Sequence, residues 1–276
     1  MPVDLVQAGL TARKSLGQHF LVDRRILGRI VSAAKLSPED TVVEVGPGLG
    51  VLTKQLANFA GRVIAGEVDK GLYERLQERF AGVENLSLIQ GDILSLTPSD
   101  LLQQAAASAP YAVVANLPYN IAAPVLRRFL EAAEPPQRLV VMVQREVAES
   151  IVAAPGRMSL LAASVQFYAV PELLFVVPPS AFRPPPRVDS AVLRIDVRER
   201  PAVEVDNIDV FFHFLRAGFS APRKQLRNAL GHTVDVDMEA LDAAFAASGI
   251  DPTLRAQALA LDDWARLYAA LREATQ

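Results

Sequence analysis

Five short apolar runs between residues 41 and 143, which alternate with helical segments, constrain the fold of this chain more than any other feature. A short apolar run, rich in β-branched residues and ended by Gly, Asn or Asp, is typical of a buried strand. Strands that alternate with helices form βαβ units, which assemble into a mostly parallel sheet with right-handed crossovers. The sequence therefore predicts an α/β domain. The predicted strands cover residues 41–45, 62–68, 86–89, 111–115 and 138–143.

A glycine-rich turn follows the first predicted strand and leads into a helical stretch. Glycine lets the backbone approach a ligand closely, and the start of a helix offers free N–H groups. The G-x-G-x-G spacing of Gly46, Gly48 and Gly50 differs from that of a dinucleotide fold, and the turn lacks the Lys-Ser/Thr of a P-loop. Glu44 would be unfavourable beside a pyrophosphate but suits a cationic ligand without phosphate, such as S-adenosylmethionine. A simple tight turn between strand and helix is the alternative.

Two further acidic residues follow predicted strands. Glu67 lies 21 residues after Gly46, and an acid about 20 residues past a glycine turn is placed to bind two ribose hydroxyls. Asp92 follows the third strand, where it could accept a hydrogen bond from the adenine amine of a cofactor or cap the next segment. These positions favour a nucleoside-containing cofactor.

The fourth predicted strand ends in Asn116, Leu117, Pro118 and Tyr119. In an open α/β sheet, ligands bind beyond the carboxyl ends of the strands. Asn can bond the Watson–Crick edge of adenine, and Tyr can stack on its face. The turn therefore predicts a pocket for a base, with chemistry at its exocyclic amine. The alternative is an ordinary turn, because Asn and Pro are common turn residues.

Residues 178–187 are rich in proline and lie between two apolar runs. This setting favours a rigid loop on the catalytic face, with Phe182 as a second aromatic residue for the base. A polyproline spacer, or a ligand for a partner domain, is the alternative.

The net charge of −3 and the isoelectric point near 5.7 show that the chain is not basic overall, yet it contains basic segments. No acid occurs between residues 211 and 230, where four cations lie. Such a cluster is the electrostatic footprint expected for a nucleic-acid backbone; a solvated helix face is the alternative. The predicted RNA-binding residues are Arg13 and Lys14 in an N-terminal arm, and Arg216, Arg223, Lys224 and Arg227.

The polar segment 198–209 predicts a domain boundary, giving domains at residues 1–200 and 201–276. The second domain is expected to be helical, and 276 residues suffice for a large and a small core. The predicted helices after the fifth strand cover residues 144–153, 158–168, 208–219, 222–230, 238–247 and 261–273.

Several classes of protein are disfavoured by what the chain lacks. It has no Cys, and its three His residues are not spaced as ligand pairs, so we expect no disulfide and no metal site. No run approaches the ~18 apolar residues of a membrane span, and the first residues carry no cleavage signature. We therefore expect a cytoplasmic protein, and the absence of heptads favours a monomer.

Seven motifs occur in an order that resembles the KsgA/RsmA family of 16S ribosomal RNA adenine dimethyltransferases. The resemblance spans almost the whole chain, and its most specific parts are NLPYNI, GQHFL, PPPRVDS and RKQLRN. The motifs are KSLGQHFL, VVEVGPGLGVLT, GEVD, GDIL, VVANLPYNI, FRPPPRVDSAV and FSAPRKQLRNAL.

The resemblance implies a Rossmann-like S-adenosylmethionine-dependent methyltransferase domain followed by a small all-helical C-terminal domain that binds RNA. The implied reaction converts two adjacent adenosines near the 3′ end of 16S rRNA, in the immature small ribosomal subunit, to N6,N6-dimethyladenosine. Many relatives carry Asn where this chain has His19, which favours a contact through the backbone. By motif match, the cofactor site would contain His19, Leu21, Gly46, Glu67, Asp92 and Asn116.

Other functions share part of this pattern. The 23S rRNA adenine methyltransferases of macrolide resistance have the same glycine turn and Asn-x-Pro-Tyr turn, but NLPYNI and RKQLRN favour the small-subunit enzyme. A DNA adenine methyltransferase is disfavoured because nothing resembles a sequence-reading domain. A small-molecule methyltransferase would leave the basic segments unexplained. A mainly non-catalytic assembly factor for small subunits stays open beside the enzyme.

Overall fold

The computed structural model describes residues 19–234 and 236–275. They pack as two compact units: the first runs to Ala148 and resumes over Val170–Val197, and the second comprises Glu149–Ala169 and Arg198–Gln276. The division expected from sequence, after residue 200, differs because it leaves 149–169 in the first domain. Met158, Ala162 and Phe167 of that segment are buried in the aromatic core of the second unit, which explains the difference.

Nine strands and eleven α-helices are present in the described residues. The strands are β1 (Phe20–Leu21), β2 (Thr41–Val45), β3 (Arg62–Glu67), β4 (Leu86–Gln90), β5 (Tyr111–Asn116), β6 (Arg138–Gln144), β7 (Ala169–Val177), β8 (Phe182–Arg183) and β9 (Ser190–Val197). The helices are α1 (Arg24–Ala34), α2 (Val51–Phe59), α3 (Lys70–Arg79), α4 (Pro98–Gln104), α5 (Ala122–Leu130), α6 (Arg145–Ile151), α7 (Leu160–Tyr168), α8 (Ile208–Phe219), α9 (Leu226–Thr233), α10 (Met238–Ser248) and α11 (Leu261–Ala274).

The first unit is built on a seven-stranded sheet with the order β4-β3-β2-β5-β6-β9-β7. Strands β2 to β6 are parallel, and β9 is antiparallel to β6. The mostly parallel α/β sheet predicted from the sequence is thus confirmed. Strand β2 pairs with β3 on one side and with β5 on the other, so the order of the strands reverses at β2. Such a reversal creates a crevice at the carboxyl ends of the strands.

Local sequence explains why these elements form. The central strands are buried along their length, as their continuous apolar runs predict: Val113, Val114 and Ala115 of β5 are fully buried. The Asp23 side chain accepts hydrogen bonds from the backbone N–H groups of Arg25 and Ile26, so it caps α1.

The second unit is helical and has its own core. Trp264, Phe211 and Phe167 are fully buried in it, and several aromatic rings meet edge to face. Helix α9 begins at Leu226 rather than near residue 222, because Ala221 and Lys224 form a turn with a 2.9 Å backbone hydrogen bond. No helix of the described residues is long and apolar enough to cross a membrane.

Candidate active site

A cavity of about 250 Å³ opens in the first unit beside the carboxyl ends of β2, β3 and β5. It contains the glycine turn, the acids that follow the strands, and the turn after β5. Every residue predicted for the cofactor or for catalysis lines this cavity except Gly50. Those that line it are His19, Leu21, Glu44, Gly46, Gly48, Glu67, Asp92, Asn116, Leu117, Pro118, Tyr119 and Phe182.

Glu67 lies at the end of β3 with its carboxylate held by backbone groups. One oxygen accepts from the N–H of Asp69 at 2.9 Å and the other from the N–H of Gly48 at 3.1 Å. Burial raises the pKa of the carboxyl, and these two hydrogen bonds oppose the rise. Each carboxylate oxygen can accept a second hydrogen bond, so Glu67 has the acceptor geometry needed for two neighbouring hydroxyls.

Glu44 is a buried acid at the end of β2. It is 1% exposed, and its Oε2 has no hydrogen-bond partner in the described part of the chain. Burial raises the pKa of Glu44 to about 8, and repulsion by Glu67 adds to the effect while Thr53 lowers it. The carboxyl is therefore mostly protonated near neutral pH. A cationic ligand would favour its ionised form, so this orphaned oxygen fits a cofactor that carries positive charge.

Gly50 serves packing rather than the cavity. It precedes α2 with a φ of +70°, and a Cβ there would lie 2.5 Å from the ring of Phe80 and 2.8 Å from the side chain of Leu76. Glycine is thus required both by the left-handed backbone and by the close approach of α3. The glycine motif singled out this position, but Gly50 does not line the cavity, so its position does not support the predicted contact with the cofactor.

The Gly50→Ala variant is expected to lose about 2–4 kcal/mol of unfolding free energy, because strain and overpacking add. Urea denaturation measures the loss. Gly82→Ala is the matched control: Gly82 has a φ of +86° and no atom within 4 Å of an added Cβ. It should lose only about 1–2 kcal/mol, from backbone strain. Equal losses in the two variants would contradict the packing role.

Asn116 ends β5 at the crevice. Its Nδ2 donates to the backbone oxygen of His19 at 3.4 Å, and its Oδ1 has no partner in residues 19–234 and 236–275. The backbone N–H of Leu117 donates to the oxygen of Met142 at 3.1 Å, which holds the turn on β6. An oriented amide oxygen facing a cavity can accept a hydrogen bond from an amine.

Tyr119 is partly exposed in the cavity, and its hydroxyl lies 2.7 Å from the hydroxyl of Ser190. Its ring stacks on that of His19, with centroids 5.7 Å apart and planes at 28°. Burial raises the pKa of the Tyr119 hydroxyl, so it stays neutral and can serve as a stacking surface. Phe182, by contrast, is fully buried among core side chains, so it supports the cavity wall and its ring face is covered.

Asp92 caps the segment that follows it and also lines the cavity. It lines the cavity and is exposed, and its Oδ1 accepts from the N–H of Leu94 at 2.9 Å. The second carboxylate oxygen is thus left to meet a ligand.

The predicted RNA-binding residues differ in their surroundings. Arg13 and Lys14 lie outside the described residues. Arg216, Arg223 and Lys224 are exposed in the second unit, and none forms an ion pair within the described ranges. Arg227 instead makes a two-pronged ion pair with Asp242, at 2.5 and 2.7 Å, which joins α9 to α10. Its guanidinium is therefore already paired with a carboxylate, unlike the three exposed cations.

Sequence reasoning missed Ser190 as a site residue. It lies within the PPPRVDS motif, but only its pairing with Gln144 in the sheet brings it beside the turn after β5. A small polar residue directly before the apolar run Ala191–Leu193 was the available signal.

Comparison with known proteins identifies the family of this chain. The family model for ribosomal RNA adenine dimethylase matches residues 9–273. A ribosomal RNA small subunit methyltransferase A from Dehalococcoides mccartyi is 49% identical over 259 residues, which cover 94% of this chain and 88% of the relative. The solved 23S rRNA methyltransferase ErmE is 27% identical with a TM-score of 0.71, covering 92% of this chain and 99% of its own.

A dimethyladenosine transferase from Plasmodium falciparum shares the fold, with a TM-score of 0.77 at 24% identity over 93% of this chain and 98% of its own. The match to the family model extends across both units described above. Together with the identity to a curated relative, it assigns the chain to the ribosomal RNA adenine dimethylase family.

Proposed function

We propose that this protein transfers methyl groups to N6 of two adjacent adenosines near the 3′ end of 16S rRNA, within the immature small ribosomal subunit. The product is N6,N6-dimethyladenosine, and the reaction takes part in small-subunit biogenesis. The observation that carries the proposal is that one cavity contains both the acids suited to a cofactor nucleoside and the Asn116–Tyr119 turn suited to a base. The 49% identity to a small-subunit methyltransferase supports the choice of RNA.

The cofactor half of the cavity fits S-adenosylmethionine, on which enzymes of this family depend and which supplies a methyl group activated by a sulfonium. Glu67 binds the ribose hydroxyls with its two held oxygens. The positive charge of the cofactor stabilises the ionised carboxyl of Glu44, one oxygen of which has no other partner in the described residues. Asp92 accepts from the adenine amine, and the backbone of His19 and Leu21 closes the site.

The other half of the cavity receives the target adenine. The lone pair of its amine is delocalised into the ring, so the nitrogen is a poor nucleophile. Asn116 Oδ1 and the Leu117 carbonyl hold the N–H groups and favour a pyramidal nitrogen. Tyr119 stacks on the base, which contributes ~1–3 kcal/mol against the few kcal/mol needed to unstack the target. The proton of the alkylated amine is acidic enough to leave to water, so orientation supplies most of the rate.

The helical second unit contacts the ribosomal RNA. Its exposed cations Arg216, Arg223 and Lys224 bind phosphates, and Arg13 and Lys14 of the N-terminal segment also contact the RNA. Arg227 contributes to this surface by exchanging its ion pair with Asp242 for a phosphate. The protein acts as a monomer in the cytoplasm, where ribosomal subunits are assembled.

A methyl-transfer assay with labelled S-adenosylmethionine tests the proposal. Unmethylated small subunits, unmethylated large subunits and DNA serve as substrates, and digested nucleosides are identified by mass. We expect dimethyladenosine from small subunits only, at two neighbouring positions. Label in the large subunit would instead indicate that this protein methylates 23S rRNA, as the name of the 27% identical neighbour ErmE states for that enzyme. Binding to small subunits without any label would favour the assembly-factor alternative.

A further inference from the structure

Ser190 is a buried polar residue that the reaction proposed above does not use. It is the first residue of β9, which pairs with β6, and its side chain is fully buried. A buried hydroxyl costs free energy unless it is hydrogen-bonded. The partner of this hydroxyl is the Tyr119 hydroxyl, 2.7 Å away and 71 residues distant in the chain.

The contact joins a fixed group to a movable one. Ser190 is held by the pairing of its strand with Gln144 of β6. Tyr119 lies in a turn, is partly exposed and projects into the cavity. Two side-chain torsions determine where its ring points. A hydrogen bond from the far end of the ring to an immobile hydroxyl selects one orientation from the rotamers that the turn would allow.

The loop before Ser190 also holds the ring against which Tyr119 stacks. Nδ1 of His19 lies 2.9 Å from the carbonyl oxygen of Pro184. A carbonyl can only accept, so Nδ1 carries the hydrogen. Phe20 and Leu21 pair with Arg183 and Phe182, which anchors the segment next to His19 on the same loop. One loop therefore fixes both rings, His19 through Pro184 and Tyr119 through Ser190.

We infer that Ser190 is a positioning residue for methyl transfer, because its hydroxyl holds the Tyr119 ring at the angle on which the target adenine stacks. The inference rests on the proposed assignment of Tyr119 to the target base. A stacked base follows the plane of its platform, and a displacement of about 1 Å at the reacting atom can cost about 10²-fold in rate. A freely turning ring would still bind the base but would present its amine in many directions.

The test compares Ser190→Ala, Tyr119→Phe and the double variant in single-turnover and steady-state methylation of unmethylated small subunits. Each single variant removes one side of the same hydrogen bond. We expect each to lower kcat/KM by about fivefold to twentyfold, mainly through kcat, with the dissociation constant of S-adenosylmethionine unchanged. The double variant should be no worse than the more damaged single variant, because the two changes remove one interaction.

Ser164→Ala is the matched control, since Ser164 is a buried serine of α7 in the second unit. It should leave kcat/KM unchanged even if the melting temperature falls. Tyr119→Ala distinguishes the role of Tyr119 toward the base from the role of Ser190 toward Tyr119. Wild-type kcat/KM in Tyr119→Ala would overturn the assignment of Tyr119 to the base and the inference with it. A damaged Tyr119→Ala beside an unaffected Tyr119→Phe would overturn only the role of Ser190, whether or not Ser190→Ala folds. Multiplicative losses in the double variant would overturn it as well.

Discussion

Replacing Asn116 by Ala is expected to lower kcat by about 10³-fold, close to complete loss, while the dissociation constant of S-adenosylmethionine changes little. The variant removes the amide oxygen that faces the cavity without a partner and that we assign to the amine of the target base. Loss of one preorganised group at a reacting centre typically costs about 10²–10³-fold. Glu44 and Glu67, which we assign to the cofactor, stay in place, so we expect binding of the cofactor to be preserved.

Single-turnover methylation of small subunits measures the rate, and isothermal titration measures cofactor affinity. Asn58→Ala is the matched control, because Asn58 is an exposed residue of α2 in the same unit. It should behave as wild type in both measurements. Turnover of Asn116→Ala within tenfold of wild type would contradict the proposed mechanism. Loss of cofactor binding in this variant would instead assign Asn116 to the cofactor half of the cavity.

The Glu44→Gln variant is expected to be more stable than the wild type at pH 9, with the difference closing as the pH falls toward 4. Burial raises the folded-state pKa of Glu44 to about 8 from its ordinary value of 4.5. Between those values the folded state keeps a proton that the unfolded state has released. Wild-type stability therefore falls as pH rises through this range and levels off above the folded pKa.

A glutamine keeps the shape of the protonated acid and never ionises, so the variant escapes this loss. The shift corresponds to a gain on the order of 3–5 kcal/mol at pH 9, which urea denaturation at several pH values can measure. Glu39→Gln is the control, since Glu39 is exposed and a surface substitution changes stability by only about 0.5 kcal/mol. Parallel stability curves for wild type and Glu44→Gln would show that Glu44 is solvated in the folded protein.

Much of the candidate site could be predicted because its residues lie at strand ends. Glu44, Glu67 and Asn116 each follow a recognisable apolar run, and parallel strands bring their carboxyl ends to one edge of the sheet. The α/β class and the helical second unit were predicted from the same periodicities and are confirmed. Such features depend on a few neighbouring residues, so they can be read without knowing how distant segments pair.

Other features depend on contacts that no local pattern encodes. The cap of Asp23 on α1 was predictable, whereas the ion pair of Arg227 with Asp242 required the packing of α9 on α10. The sequence predicted Gly50 as a cofactor residue, whereas in the structure the ring of Phe80 packs against it. In each case the residue type was informative, but its partner lay in another element.

By itself, the sequence determined the α/β class, a ligand site beyond the carboxyl ends of the strands, and twelve of the residues that line the cavity there, because strand periodicity and strand ends are local properties. Only the tertiary structure decided that residues 149–169 pack with the second unit, that Phe182 is covered, and that Ser190 holds Tyr119. These outcomes follow from the order of strands in the sheet and from the burial of side chains far apart in the chain. Both are settled by the packing free energy of the whole unit.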